Sequence, residues 1–442
     1  MNLAKLVDLT AATVPCPYCD VPLAPTSVRV AGLAIVIDAG CPSCRGEFAF
    51  DWPSGNALLH PALVDRTTRA VHADGSDWYA RRFAHLVASE ASQVSVSITV
   101  SGACHMGRGA VLVDCLDFRY SHVLFKLMSA ARHLGESTDQ DVVVIVPKLL
   151  RWLVPAESVV IEADLPLERG TEWVEGLDAT VEETLAPSAT VRISPTISQP
   201  DVTLRDLTLL GEDLTPSPDV HNGGAPLQVG FALRSDRQHD QGDRLWVGPT
   251  PLWLKIARRL LPKRLAYRLL VRRQNRNYAR LAHRVRERHP EADFVAFGIG
   301  EPHGLPDYVD DLRTPGPVRE ESHSLDQYRR CRVVVGAHGA NLSLPSLLAG
   351  GIVDLVRPYQ LHNVAQDLII PQGTSAEPKL TLFHYRLVPE ECTPDAVAAI
   401  TLSLIDDADW LYRNMIENRQ AYDVPGWPRP IRWHPVALEP AS

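Results

Sequence analysis

Four cysteines near the N-terminus form two pairs whose spacing suits a metal ion. The pairs are Cys16-Pro-Tyr-Cys19 and Cys41-Pro-Ser-Cys44, and 21 residues separate them. A Cys-x-x-Cys turn places two sulfur atoms on one side of a tight loop, so two such turns can supply four thiolates to a tetrahedral zinc ion. We therefore predict a structural zinc site at these cysteines. Four protein ligands leave no open coordination position, so the metal should not be catalytic.

The alternative for these pairs is a thioredoxin-like redox motif. In thioredoxin-like proteins, however, that motif occurs once per domain and within a longer βαβ unit, whereas this chain has two pairs. Between the two pairs, residues 28–37 have the pattern of a hairpin, and a strand-like segment at 47–50 follows the second pair. This order of turn, hairpin, turn and strand is typical of a zinc ribbon, so it favours the metal site.

A second candidate site follows a predicted buried strand in the C-terminal half of the chain. The apolar run 333–335 ends at Gly336, and the turn at 337–340 leads into a helix that Asn341 could cap. Ligands of open α/β sheets bind at the carboxyl ends of strands, and the N–H groups of a helix N-terminus favour phosphate. His338 would lie at that edge between small residues, where a ligand can approach the backbone. A structural turn, with His338 as a hydrogen-bonding partner, is the alternative.

The sequence around this turn resembles the signature of the family 61 glycosyltransferases, which include plant xylan arabinosyl- and xylosyltransferases and the EGF-domain O-linked N-acetylglucosamine transferase. Their signature begins with a Ser, followed after a few residues by an acidic residue and Gln, and continues with an apolar strand. The motif G-x-HGA-x-L comes next, and a Gly-containing turn then leads to V-x-E-L. The matching residues here are Ser324, Asp326, Gln327, Gly336, His338, Gly339, Ala340 and Leu342. Asp354 stands where the family usually has Glu.

The resemblance implies a GT-B architecture, in which two Rossmann-like domains face each other across a cleft. It also implies an inverting transferase that moves a sugar from a nucleotide-sugar donor to a hydroxyl acceptor of unknown identity. The C-terminal domain would hold the donor, and the candidate donor-binding residues are His338, Gly339, Ala340, Asn341, Gln327, Arg273 and Arg276. No Asp-x-Asp motif follows a strand, so we expect metal-independent transfer in which an arginine neutralises the diphosphate. For each arginine, a solvated helix face is the alternative.

On the acceptor side, the resemblance makes His122 the candidate catalytic base. His122 stands where the family often has a histidine at a helix start, but residue 126 is Lys where the family commonly has an acidic residue. A capped structural histidine at a helix start is the alternative.

The elements that would position these residues indicate an α/β chain. Its 442 residues are 45% hydrophobic and 22% charged, which fits a globular protein of two to four domains. We predict a zinc ribbon at 1–52, an acceptor-side α/β domain at 53–245, a donor domain at 246–425 and a tail at 426–442. The predicted strands are 94–100, 110–113, 141–146, 267–271, 293–297, 332–337 and 352–356. The predicted helices are 121–134, 252–261, 274–288, 324–330, 342–348, 393–404 and 409–420.

Charge is unevenly distributed along the chain. Residues 251–290 carry 13 Lys and Arg against a single acidic residue, whereas the net charge of the chain is −9. The overall sign opposes nucleic-acid binding, while the local excess suits a small anion such as a diphosphate. The amphipathic segment 252–261 could contact a membrane surface peripherally or pack its apolar side inward. Because no apolar run reaches bilayer length and the first residues lack a signal-peptide pattern, we expect a cytoplasmic protein.

Two alternative functions remain at this point. One is another GT-B-like transferase, such as a polysaccharide pyruvyltransferase. The other is a non-catalytic zinc-ribbon adaptor, since ribbons commonly bind protein or nucleic acid and the basic segment could assist.

Overall fold

In the computed structural model, the described residues are 1–7, 14–58, 60–74, 77–136, 139–195, 226–234, 262–300, 302, 304–314, 322–357, 360–361 and 384–415, together with 210, 214 and 220. They form three sheets and seven α-helices, which confirms the mixed α/β class. The segment 252–261 and the tail 426–442 lie outside the described residues. Within the described part of the chain, no helix has both the length and the apolar composition needed to cross a bilayer.

The first sheet is an antiparallel meander that carries the cysteine pairs. Its strands, in spatial order, are β1 (Ala24–Ala31), β2 (Ala34–Gly40), β3 (Glu47–Asp51), β4 (Ala62–Asp65) and β5 (Val71–Ala73). The β1–β2 pair confirms the predicted hairpin, with Val28 opposite Ile37. Helix α1 (Asp77–Ala88) covers one face of the sheet through Tyr79 and Phe83. Because β4 pairs with β3, the sheet continues past residue 52.

The second sheet is largely parallel. Its strands are β6 (Ile98–Ser101), β7 (Gly109–Asp114), β8 (Gln140–Pro147), β9 (Val159–Ala163) and β10 (Thr190–Ile193), in the spatial order β10-β7-β8-β9-β6. Only β6 is antiparallel to its neighbour. Helix α2 (Tyr120–Glu136) follows β7, and α3 (Leu177–Leu185) precedes β10. Val111 and Val113 on one face of β7 pack with α2, whereas Ala110 and Leu112 on the other face belong to a cluster shared with the meander.

The third sheet is parallel throughout. Its strands are β11 (Gln228–Arg234), β12 (Asp293–Ile299), β13 (Val309–Asp311), β14 (Cys331–Ala337), β15 (Ile352–Val356) and β16 (Tyr385–Pro389). Their spatial order is β13-β12-β11-β14-β15-β16, which is the doubly wound Rossmann order. Helices α4 (Lys263–Arg288) and α7 (Pro394–Met415) cover one face, while α5 (Ser322–Arg330) and α6 (Ser343–Leu348) cover the other.

Three of the predicted elements are wrong. Residues 267–271 belong to α4, because Ala266, Leu270 and Tyr278 recur at helical spacing and are all buried. Helix α7 runs without a break to Met415 instead of ending near residue 404. The strand expected at 94–100 begins at Ile98, and Val94 makes only an isolated bridge.

One apolar cluster connects the second and third sheets. It contains Val123 and Leu127 of α2 together with Leu325 of α5 and Leu344 of α6. The two sheets are therefore joined by apolar packing as well as by the chain.

Candidate functional site

The strand order of the third sheet reverses between β11 and β14. Open α/β sheets bind ligands outside the carboxyl ends of their strands at such a point. His338 and Gly339 follow the last residue of β14 directly, and Gly339 has a φ of 148°, which favours glycine. At Gly336 a Cβ atom would lie 2.8 Å from Leu342 Cδ2 and 2.9 Å from Ala232 Cβ, so glycine lets the turn pack closely on the sheet. The predicted candidate turn therefore lies at the switch point of this sheet.

Asp354 on the neighbouring strand holds the His338 imidazole. His338 Nδ1 lies 2.8 Å from Asp354 Oδ2, and the Tyr385 hydroxyl donates a hydrogen bond of 2.5 Å to the same oxygen. Both His338 and Asp354 are buried, and Asp354 Oδ1 has no hydrogen bond among the described residues. Sequence reasoning noted Asp354 only as a replacement for Glu and missed Tyr385. The one available signal was an acidic residue inside an otherwise apolar strand.

The remaining donor-binding candidates divide into two groups. Ala340 and Asn341 lie in the 3-10 turn after Gly339, where Asn341 Nδ2 is 3.4 Å from the Ala337 carbonyl oxygen. Gln327 instead accepts a hydrogen bond of 3.1 Å from the side chain of Gln228, the first residue of β11. Because β11 and β14 are parallel, this contact lies at the amino edge of the sheet, opposite His338. The structure thus brings Ala340 and Asn341, but not Gln327, next to His338.

Both candidate arginines lie on α4. Arg273 is half-buried and Arg276 is exposed, whereas Gln274 and Asn275 between them are buried. Asn275 Oδ1 is 3.4 Å from Nη1 of Arg313, a buried cation that follows β13 and that sequence reasoning did not single out. Arg313 pairs with Asp311, the last residue of β13, and so lies at the carboxyl edge of this sheet.

His122 occupies a corresponding place in the second sheet. It lies in the first turn of α2, after β7, and β7 marks the point where the strand order of that sheet reverses. His122 Nδ1 is 3.4 Å from Asp117 Oδ2, and Lys126 Nζ is 3.5 Å from the same oxygen. Lys126 also donates a hydrogen bond of 2.7 Å to the Leu116 carbonyl. The lysine that departs from the family pattern is therefore the buried counter-ion of Asp117.

Two further carboxyl groups surround this lysine. Burial raises the pKa of Asp51 to about 8 and that of Asp114 to about 6, and Lys126 opposes both shifts. Burial would also raise the pKa of Asp117, but Lys126 and His122 together lower it to about 2. The hydroxyl of Tyr79 on α1 hydrogen-bonds to Asp51. This buried polar cluster connects β3, β7, α1 and α2, and sequence reasoning identified only its histidine.

The four N-terminal cysteines converge. Their sulfur atoms all lie within 4.8 Å of one another, with 3.5 Å between Cys16 and Cys44 and 3.4 Å between Cys19 and Cys41. These four residues could therefore hold a metal ion.

No family model matches the chain, and no curated protein is significantly similar to it. Several solved structures resemble it weakly, among them the following three. E. coli ADP-heptose LPS heptosyltransferase II is 12% identical with a TM-score of 0.33, over 67% of this chain and 98% of that one. TarM is 9% identical with a TM-score of 0.27, over 94% of this chain and 78% of that one. The GtfA/B complex is 10% identical with a TM-score of 0.20, over 87% of this chain and 82% of that one. TM-scores this low carry no argument about function.

Proposed function

We propose that this chain is a glycosyltransferase similar to those of family 61, which moves a sugar from a nucleotide-sugar donor to a hydroxyl acceptor. The observation that carries the proposal is the position of His338 and Gly339 at the strand-order reversal of a fully parallel, Rossmann-ordered sheet. Nucleotides bind at such a point because the chain segments that follow two adjacent strands leave the sheet in opposite directions and open a crevice between them. The sequence motif and the strand order of the third sheet are independent observations, and both point to the turn at His338 and Gly339.

Four adjacent residues form the proposed donor site. Gly339 lets the donor approach the backbone, while Ala340 and Asn341 line the turn beside it. His338, whose Nδ1 lies 2.8 Å from Asp354 Oδ2, contacts the donor in this proposal. Arg273 or Arg276 supplies further positive charge from α4, which begins after the carboxyl end of β11.

The proposed reaction is a metal-independent displacement with inversion at the anomeric carbon. The acceptor oxygen bonds to that carbon, and the bond from the carbon to the diphosphate oxygen breaks with its electron pair leaving on the diphosphate. The acceptor proton passes to a base, for which His122 stays the candidate. Its buried neighbour Asp117 would stabilise the imidazolium that forms.

We also propose that the cysteine cluster binds one structural zinc ion. Four thiols at mutual distances below 4.8 Å suit the tetrahedral, all-sulfur coordination of structural zinc sites. The ion would fix the two turns that flank β1 and β2, and it takes no part in the transfer.

A thermal-shift panel of UDP-, GDP-, dTDP- and ADP-sugars tests the proposed activity class. We expect one nucleotide class to raise the melting temperature, since a ligand at about 100 times its Kd stabilises the native state by about 2.7 kcal/mol. If no nucleotide stabilises the protein, the transferase proposal fails. Tight, salt-sensitive binding of duplex DNA or RNA would instead favour the adaptor alternative.

A further inference from the structure

We propose that Arg82 and Arg119, which lie over the ring of Phe118, bind a phosphate group carried by the acceptor substrate. Phe118 and Arg119 belong to the connection from β7 to α2, at the carboxyl edge of the second sheet, and Arg82 reaches them from α1. This inference rests on the proposed function and deepens it, because it gives the unidentified acceptor a chemical class.

One aromatic ring holds both guanidinium groups. The Cζ atom of Arg82 lies 4.1 Å from the centre of the Phe118 ring, and the Cζ atom of Arg119 lies 5.3 Å from the same centre. Both arginines are exposed, whereas Phe118 is half-buried. The contact with the ring depends on the charge of each guanidinium group and uses none of its five N–H donors. These donors therefore stay available to a ligand that approaches from solvent.

The positive charge of this pair is not balanced by the protein. Neither guanidinium group has an ion pair or a hydrogen bond with any residue that the structure describes. Partial burial, and after it the charge of Arg119, lowers the pKa of Arg82, and Asp117 opposes this shift. Asp117 itself is fully buried, and its carboxylate already faces His122 and Lys126. An anion bound between the arginines would supply the missing negative charge.

The backbone that carries Phe118 and Arg119 is held in place. The Arg119 N–H donates a hydrogen bond of 3.1 Å to Asp117 Oδ1, and the Arg119 carbonyl accepts one of 3.2 Å from the Val123 N–H at the start of α2. The neighbouring chain packs so closely that a Cβ atom at Gly170 would lie 2.4 Å from the Asp117 carbonyl oxygen. A site on such a backbone needs little ordering when it binds a ligand, and the N-terminus of α2 adds partial positive charge.

Two arginines suit a phosphate group better than a carboxylate. A phosphomonoester carries up to two negative charges and three acceptor oxygens, so both guanidinium groups can pair with it, whereas a carboxylate has one charge. The Phe118 ring also contacts His122 edge-on, with 6.4 Å between the ring centroids. A phosphate group bound at Phe118 would therefore lie beside the candidate catalytic base, on the side of the protein that we assign to the acceptor.

Calorimetric titration with glycerol 3-phosphate, with glycerol as the uncharged control, tests this inference. The wild-type protein should bind glycerol 3-phosphate and not glycerol. The double variant Arg82→Gln/Arg119→Gln should stay folded, because both side chains are exposed, and should bind at least about tenfold more weakly, because each lost hydrogen bond to a charged group costs about that factor. Arg81→Gln is the matched control, since Arg81 is the neighbour of Arg82 on α1 but pairs with Asp77 at 3.8 Å. It should bind as the wild type does.

No affinity of the wild-type protein for glycerol 3-phosphate, or wild-type affinity in the double variant, overturns the inference. Titration with the nucleotide sugar that the thermal-shift panel selects separates the acceptor from the donor as the source of the phosphate. The double variant should bind that nucleotide sugar as the wild type does, and a weaker affinity would assign the arginines to the donor's diphosphate instead. If no nucleotide sugar binds the wild-type protein, the proposed function fails and the acceptor assignment with it. The glycerol 3-phosphate titration still decides whether the two arginines bind phosphate.

Discussion

Lys126 is a buried ammonium group among three carboxyl groups. Asp117 and Asp114 raise its pKa despite the opposing effect of burial, so Lys126 stays charged. Removing one partner of a buried ion pair leaves an uncompensated charge, which typically costs about 3–5 kcal/mol. We therefore expect Lys126→Met to lower the free energy of unfolding by about that amount in urea denaturation.

Lys148→Met is the control for this measurement. Lys148 pairs with Asp164 at 3.1 Å, but both side chains are more than half exposed. Exposed pairs contribute about 0–1 kcal/mol, so this variant should unfold almost as the wild type does. Equal stabilities of the two variants would contradict the assigned role of Lys126.

The raised pKa of Asp51 predicts how the stability of the folded protein depends on pH. Because burial raises its pKa from 3.8 to about 8, folding favours the protonated carboxyl group. Its contribution to stability is complete below about pH 4 and is lost as the pH rises towards 8. We expect Asp51→Asn to reduce the loss of stability between pH 5 and pH 9, because the amide cannot ionise and can still hydrogen-bond to Ile35 and Tyr79. An unchanged slope of stability against pH would contradict the assignment.

At the residue scale, the sequence reveals chemistry that is encoded by local spacing. The cysteine pairs and the turn at His338 are contiguous motifs, so they could be found without a structure. Asp354 and Tyr385 could not be linked to His338, because only strand pairing brings Asp354 against His338 and Tyr385 against Asp354. For the same reason the contact of Gln327 with Gln228 was not foreseen.

At the scale of elements, periodicity identified six of the eleven strands of the second and third sheets, with several boundaries misplaced, and it missed β9, β10, β11, β13 and β16. The run at 267–271 is apolar enough for a strand, but it lies inside the 26-residue helix α4. The meander was recognised as far as β3. Its last two strands were missed because they are only four and three residues long.

We expect the meander to depend on the proposed zinc ion. Cys16 and Cys41 belong to the same apolar cluster as Leu112 and Ile145 of the second sheet, so losing the turns disturbs that packing. We expect about one zinc ion per wild-type chain by metal analysis. Cys41→Ser should lose the zinc and lower the melting temperature. Cys392→Ser, which changes a cysteine far from the cluster in the chain, should do neither, and full zinc retention by Cys41→Ser would contradict the site.

At the scale of the whole molecule, the sequence predicted an α/β chain but not the order of its strands. Spatial order depends on which strands pair, and contacts between distant residues decide that pairing. The packing of the meander on one face of the second sheet could not be predicted either. The apolar pattern of the strands in the second sheet is the same whether a helix or another sheet covers that face. The domain limits at 52, 245 and 425 remain predictions.

The central claim is that the turn at the reversal point of the third sheet binds a nucleotide-sugar donor. Calorimetric titration of wild type and Gly339→Val with the nucleotide sugar that the panel selects tests it most directly. Gly107→Val is the matched control, because Gly107 also has a positive φ, of 79°, but its Cβ position is open. We expect Gly339→Val to lose donor binding while it stays folded, and Gly107→Val to bind as wild type does. Wild-type affinity in a folded Gly339→Val protein would show that the donor does not bind at this turn.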